Sequence, residues 1–73
     1  MNEKIVKMYK VAYPKGMRVE MVAMDDPQPI ERGTRGTIEF VDDMGTIHVK
    51  WDNGRTLALI PEVDEFKIIK EAK

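Results

Sequence analysis

The chain of 73 residues lacks cysteine and serine altogether, and its single histidine is His48. Without cysteine it can form neither a disulfide nor a thiolate metal site, which is compatible with a reducing compartment. The two commonest nucleophiles of covalent catalysis are therefore absent, and none of the four threonines has an evident general base beside it. We expect a protein that is not an enzyme and needs no cofactor.

Long apolar runs are missing as well. The longest are two segments of four residues, MVAM and LALI, whereas a membrane-spanning helix needs about 20 apolar residues. The start, MNEKIVKMYK, is too charged for a secretory signal. We therefore expect a cytoplasmic protein of one domain, near the lower size limit for folding without disulfides or metals.

Charge is divided unevenly along the chain, although the net charge is only −1. Residues 1–18 contain five lysines and arginines against one glutamate, and the remainder contains seven against twelve acids. An acidic body does not attract phosphate backbones at long range, so only the basic N-terminal part could do so.

Residues 3–12 show the periodicity of a short amphipathic helix. The pattern predicts an apolar stripe on one side and three lysines on the other: Ile5, Met8, Tyr9 and Ala12 against Lys4, Lys7 and Lys10. Asn2 can cap the start, and Pro14 ends the segment. A helix of about ten residues is not stable alone, so it either docks on the rest of the chain or frays.

From Met17 the apolar period changes to two, which is typical of strands. Five strands are predicted, in the segments MRVEMVAM, RGTIEFVD, GTIHVKW, RTLALI and FKII. Glycine in DMG and in DNG favours tight reversals on either side of the third strand, so residues 36–60 should form a three-stranded meander. The segment PEVDE has the composition of a single helical turn.

This order of elements predicts a mainly β protein, a small SH3-like five-stranded barrel preceded by a short N-terminal α-helix. Residues 1–16 would form the basic helix and linker, and residues 17–70 the barrel. The interior is expected to contain Val19, Met21, Ile38, Phe40, Ile47, Val49, Trp51, Leu57, Leu59, Val63, Phe66 and Ile68.

Three segments carry a resemblance to a known family: YPKGMRVEMVAMDDPQP, GTRGTIEFVDDMGTIHVKWDNG and LIPEVDEF. Together they resemble a family of small bacterial proteins of unknown function, common in Gram-positive bacteria and their mobile elements, over residues 13–69. The resemblance implies an SH3-like barrel and a cytoplasmic setting, but no activity. More loosely, IHVKWDNG is similar to the peptide-binding barrel repeats of Mind bomb and HERC-type ubiquitin ligases, and GTRGTIEFV to barrels of ribosomal and transcription factors.

The loop DDPQPIERGT is the segment that folding explains least, and long loops on small scaffolds often carry recognition. We expect Asp25, Asp26 and Gln28 to line a groove opposite Asp43 and Met44 of the DDMG turn, where a basic or mixed peptide would bind. The alternative is structural, with Asp25 and Asp26 paired to Arg32 or Arg35 at the base of the loop.

The stretch DDMGTIHVKWDNG places three aspartates near His48, which raises the question of a metal or acid–base site. Asp42, Asp43 and Asp52 stand where turns favour a side chain that accepts backbone hydrogen bonds, and His48 alternates with apolar residues as a solvated strand residue would. A divalent ion on Asp25, Asp26 and Asp43 would match no known loop motif. No metal site is predicted.

Two functions follow, of which the first is preferred. The chain would be a binding module that recognises a protein segment through the loop 24–35 and the turn 42–45. Alternatively, Lys4, Lys7 and Lys10 would contact nucleic acid, although such a stripe is commonly the solvated side of a helix. The sequence leaves open whether the protein is a monomer or a homodimer.

Overall fold

One helix and four antiparallel strands form the computed structural model, which describes residues 2–70 and so leaves Met1 of the predicted N-terminal segment outside. The elements are α1 (Glu3–Ala12), β1 (Arg18–Ala23), β2 (Arg35–Val41), β3 (Ile47–Trp51) and β4 (Glu65–Ile69). They form one sheet in the order β3-β2-β1-β4. The prediction of a mainly β fold with a short N-terminal helix is confirmed.

The five-stranded barrel is not confirmed, because the sheet has four strands and does not close. The predicted fourth strand, residues 55–60, makes only an isolated bridge in which the Leu59 and Ile47 N–H and C=O groups exchange two hydrogen bonds of 2.8 Å. The Trp51 indole donates to the Leu57 carbonyl oxygen at 2.7 Å, so this segment wraps around the indole. It continues into a turn in which the Asp64 carboxylate accepts the Ile60 N–H at 2.8 Å.

Both predicted tight turns are confirmed. Gly45 and Gly54 have φ angles of 82° and 91°, a region that glycine occupies without steric cost. In the first turn the Asp42 carboxylate oxygen Oδ1 accepts the N–H groups of Met44 at 2.9 Å and Thr46 at 3.0 Å. The aspartate therefore has the turn role that its position predicts.

The core lies on one face of the sheet, around Trp51. Seven predicted residues are buried and three more pack against them half-buried: Val19, Met21, Ile38, Ile47, Val49, Trp51 and Leu59, then Leu57, Phe66 and Ile68. Two predictions were wrong, since Phe40 is 52% exposed and Val63, in a turn, is 59% exposed. The prediction missed Val6, Ile30 and Val41, which are buried.

Helix α1 docks on this core with a face that shares only Tyr9 with the predicted stripe. Val6 is buried and Tyr9 and Tyr13 are half-buried, whereas Met8 of the predicted stripe is 64% exposed. The Tyr9 hydroxyl donates to the Glu62 carboxylate at 2.5 Å. The Tyr13 ring meets the Phe66 ring edge-on, with centroids 5.6 Å apart. As predicted, the Asn2 side chain caps the start by accepting the Lys4 N–H.

Candidate functional site

The hairpin of β2 and β3 contains an irregularity that changes which residues face the core. Ile38 lies opposite Val49, and Phe40 lies opposite His48, so Glu39 is an extra residue on β2. A bulge of this kind re-aims the side chains that follow it. As a result Val41 points into the core and Phe40 points to the solvent.

The outward Phe40 ring lies on the imidazole of His48. The ring centroids are 4.3 Å apart and the planes are within 8° of parallel. His48 in turn is held by Asp42, with 2.7 Å between Nε2 and Oδ2. The hydrogen bond from His48 is the largest cause that lowers the pKa of Asp42, and the N–H groups of Thr46 and Met44 add to it. The carboxylate is therefore ionised at neutral pH and fixes the imidazole beneath the phenyl ring.

Acidic residues are frequent in the hairpin that carries this aromatic pair. Residues 39–48 contain three acids and no lysine or arginine. Met44, at the turn tip, is 69% exposed and adds a second apolar side chain. We call five residues of this hairpin the hairpin surface: Glu39, Phe40, Asp43, Met44 and His48. It combines an exposed aromatic ring, a flexible thioether and two exposed carboxylates.

Asp43, a predicted binding residue, has a cationic neighbour on the helix. The Lys10 ammonium lies 2.7 Å from its Oδ1 atom, although the Asp43 side chain remains 96% exposed. Exposed pairs of this kind contribute little energy and exchange readily. Lys10 thus joins the helix to the hairpin surface, and Lys4 and Lys7 are exposed beyond it.

The structure does not bring the two halves of the predicted groove together. β2 begins at Arg35, beside the loop of residues 24–34, and ends at Val41, beside the turn of residues 42–45. The strand therefore separates Asp25, Asp26 and Gln28 from Asp43 and Met44. This arrangement follows from the antiparallel order of β1, β2 and β3.

Several polar groups of the loop of residues 24–34 form hydrogen bonds within the protein. Asp26 accepts the Gln28 N–H at 2.9 Å. The Arg55 guanidinium donates to the carbonyl oxygens of Gln28 at 2.6 Å and Pro29 at 2.9 Å, and Ile30 anchors the loop in the core. Asp25 is exposed. The loop is therefore ordered by its own contacts, and a recognition role for it stays a prediction.

Within residues 2–70, the alternative pairing of Asp25 or Asp26 with Arg32 or Arg35 is not observed. Arg35 instead binds Glu20 on the outer face of the sheet, with 3.0 Å between Nε and Oε1. Glu20 also accepts from Lys67 at 3.2 Å, and its hydrogen bond to Arg35 is the main cause that lowers the pKa of Glu20. This face is therefore occupied by cross-strand ion pairs.

Asp52 also has a partner that its turn position does not predict. Both of its carboxylate oxygens accept from the Arg18 guanidinium, at 2.8 and 2.6 Å. The hydrogen bonds from Arg18 lower the pKa of Asp52. Within residues 2–70 no group of three or more His, Asp and Glu side chains could hold a metal ion. Of the three aspartates near His48, Asp42 therefore stabilises a turn, Asp43 contacts the helix and Asp52 forms an ion pair.

The sequence pattern correctly indicated a surface position for His48 but placed Phe40 in the core, although one signal for an exposed Phe40 was present. Phe40 and Val41 are consecutive apolar residues that follow Ile38 and Glu39. Strict alternation cannot bury both neighbours on one face, so a bulge or an exposed aromatic was implied.

Comparison with known families gives one match. A family model described as a domain of unknown function (DUF4314) matches residues 2–69, which includes every helix and strand above. No curated protein and no solved structure matches significantly. Separately, none of the helices described over residues 2–70 has both the length and the apolar character needed to cross a bilayer.

Proposed function

The chain belongs to the DUF4314 family, whose description carries no activity, and we propose that it is a non-enzymatic module that binds a segment of another protein at its hairpin surface. The single observation that carries this proposal is the outward Phe40 ring, 52% exposed and stacked on His48. A large aromatic group at the surface is a typical anchor for a protein partner.

The platform beneath Phe40 is preorganised. The bulge fixes the direction of the side chain, and the Asp42–His48 contact of 2.7 Å fixes the ring on which it lies. A partner that covers Phe40 would lose little side-chain entropy on the module's side, because the ring is already ordered. Preorganisation of this kind favours recognition over a purely structural role.

The charges around the platform define the chemistry of the partner. Glu39, Asp42 and Asp43 are the only charged residues between positions 39 and 48 if His48 is neutral. An apolar side chain over Phe40 and Met44, flanked by lysine or arginine, would complement this surface. The ligand is therefore a segment that alternates apolar and basic residues.

The nucleic-acid alternative has weaker support. Lys10, the last of the three helix lysines, lies 2.7 Å from the Asp43 carboxylate. The hairpin beside it is acidic and would repel phosphates. The setting of the module is proposed to be the bacterial cytoplasm, on the sequence resemblance given above and on a lack of cysteine that fits a reducing compartment. Its relationship to SH3-like barrels is likewise proposed, on the order of its elements.

A peptide library displayed on phage tests the binding site. The immobilised wild-type protein is used for selection, and every enriched peptide is then tested against the Phe40→Ala variant. We expect the enriched peptides to share a large apolar residue next to lysine or arginine. Synthetic peptides of that consensus should bind Phe40→Ala at least about 10-fold more weakly, equivalent to about 1.4 kcal/mol.

Val63→Ala is the matched control, because Val63 is 59% exposed in a turn that is not part of the hairpin surface. Its affinity for the selected peptides should equal that of the wild type. Enrichment of peptides that bind Phe40→Ala equally well, or no enrichment at all, contradicts the proposal. Steeply salt-dependent binding to DNA or RNA that is lost on replacing Lys4 and Lys7 would favour the alternative instead.

A further inference from the structure

The two edges of the sheet differ in how they are covered. Beside β3, Ile47 exchanges two hydrogen bonds with Leu59, and the Trp51 N–H donates to the Arg55 carbonyl oxygen at 3.0 Å. β4 lies at the other edge and pairs with β1. Over residues 2–70, no backbone hydrogen bond joins β4 to a segment on its outer side. The main chain of β4 is therefore the open edge of the sheet.

We propose that this edge takes a second copy of the same chain, β4 against β4, antiparallel about a twofold axis at Phe66. Unpaired N–H and C=O groups along an edge strand are a template for another strand. A twofold axis makes the contact self-complementary and closed, because each copy offers the same segment. The product would be one continuous sheet of eight strands.

The charges of β4 support a second copy as the occupant. About an axis at Phe66, Glu65 of one copy lies opposite Lys67 of the other, and the same pair recurs by symmetry. Glu65 and Lys67 are both exposed, so they are available for these two ion pairs. Opposite charges directly across an antiparallel pair stabilise it. The sequence Glu-Phe-Lys is thus complementary to itself in this register.

The apolar residues of β4 fit the same arrangement. Phe66 and Ile68 are half-buried on the core side of the sheet, so each presents a partly covered apolar surface at the edge. In the proposed register the two Phe66 rings face one another across the axis. Aromatic pairs across antiparallel strands are among the favourable ones.

Lys67 is the kind of residue that often protects an edge strand from pairing. Here its ammonium lies 3.2 Å from the Glu20 carboxylate on β1, over the outer face of the sheet. An ammonium group has three N–H donors, so it can keep Glu20 and also bind Glu65 of the second copy. The lysine therefore need not oppose this register.

Sedimentation velocity on the full chain tests the dimer. We expect the wild type to dimerise within the range up to about 1 mM, and Glu65→Lys to raise the dissociation constant at least about 10-fold, since it sets lysine against lysine twice. Glu31→Lys has the same change in charge on an exposed loop residue. It should dimerise like the wild type.

A mixing experiment sharpens the result. Lys67→Glu alone sets glutamate against glutamate. An equimolar mixture with Glu65→Lys restores opposite charges at both pairs and should form a mixed dimer. Native mass spectrometry, with one variant isotopically labelled, detects this mixed dimer. Circular dichroism checks that each variant is folded. If Lys67→Glu does not fold, the dissociation constant of Glu65→Lys, compared with that of Glu31→Lys, tests the dimer without the mixing experiment.

Three results would overturn the inference. One is a wild type that stays monomeric at about 1 mM. The second is a Glu65→Lys variant that is folded and dimerises as well as Glu31→Lys. The third is a mixture of two folded variants that forms no mixed dimer. Since Phe40 lies in the hairpin and not in β4, each of these results leaves the peptide-binding proposal intact.

Discussion

At the scale of single residues, the extra residue in β2 changes the direction in which the neighbouring Phe40 side chain points. The bulge at Glu39 turns Phe40 away from the core and lets Val41 take an inward position. The exposed ring gains a stacking partner in His48, 4.3 Å away. A side chain that alternation assigns to the core thereby becomes the most prominent group of the proposed binding surface.

Gly36 is a position in the sheet at which even a methyl side chain would lie too close to its neighbours. A Cβ atom at this position would lie 2.7 Å from Val49 Cγ1 and 2.8 Å from Trp51 Cε3. We expect Gly36→Ala to destabilise the fold by about 1–3 kcal/mol, as overpacking of a core commonly does. Urea denaturation followed by tryptophan fluorescence measures the change in the free energy of unfolding.

Val49→Ala provides the control for this prediction, because it removes the nearest of the two clashing groups. The double variant should be less destabilised than the sum of the two single variants. Simple additivity, or a Gly36→Ala protein as stable as the wild type, would show that the close approach of Gly36 to β3 is wrong.

The pKa of Asp42 gives the fold a dependence on pH. The hydrogen bond from His48 lowers it below the ordinary value of 3.8, so the stabilisation is present above that value and is lost as the pH falls through the folded-state pKa. We expect Asp42→Asn to melt at a lower temperature than the wild type at neutral pH. The difference should narrow as the pH falls from about 5 to about 3.

Asp25→Asn is the comparison, since Asp25 is an exposed aspartate of the long loop. Thermal melts of the three proteins across this range separate the two sites. A gap between Asp42→Asn and the wild type that stays constant with pH, or a similar pH-dependent gap for Asp25→Asn, would contradict the assigned role of the Asp42–His48 contact.

At the scale of elements, the apolar periodicity of α1 is compatible with two different sides of the helix facing the core. A period of 3.6 places Tyr9, a member of the predicted stripe, between two sets of apolar residues: Ile5, Met8 and Ala12 on one side, and Val6 with the C-cap residue Tyr13 on the other. Both sides are apolar, so periodicity alone does not select between them. Contacts from distant parts of the chain select the second, through Glu62 and Phe66.

The docked face of α1 can be tested with one pair of substitutions. Val6 is 6% exposed and Met8 is 64% exposed. Val6→Ala should lower the free energy of unfolding by about 1–2 kcal/mol, whereas Met8→Ala should change it by less than about 0.5 kcal/mol. Chemical denaturation measures both, and the reverse order would show that the helix docks by the predicted stripe.

The elements that the sequence predicted correctly are those with local causes. The Asn2 cap, the reversals at Gly45 and Gly54, and β1 to β3 all follow from neighbouring residues. Residues 55–60 alternate like a strand, but their conformation depends on the indole of Trp51, which binds the Leu57 carbonyl at 2.7 Å. That contact is not visible in a pattern of apolar residues.

At the scale of the whole molecule, topology decides which predicted site residues can act together. Asp43 and Met44 lie at one end of β2, and the loop with Asp25, Asp26 and Gln28 lies at the other. The sequence identified the turn as a candidate because its carboxylate and thioether are readable locally. The separation from the loop, and the contact with Lys10, depend on strand order and helix docking.

The whole molecule also has two distinct surfaces for association. The hairpin surface lies on β2 and β3, at the covered side of the sheet, and the open edge is β4 on the far side of β1. One copy could therefore use both surfaces at once. A dimer would present two hairpin surfaces and bind a bivalent partner more tightly than a monomer does.

The most direct measurement is a titration of the isotope-labelled wild type with a selected peptide, followed by two-dimensional NMR of the backbone amides. We expect the largest chemical-shift changes within residues 39–48, with His48 side-chain signals moving in the same titration. The same peptide should leave the Phe40→Ala spectrum nearly unchanged. Shift changes concentrated in residues 24–34 or 65–69 instead would contradict binding at the hairpin surface.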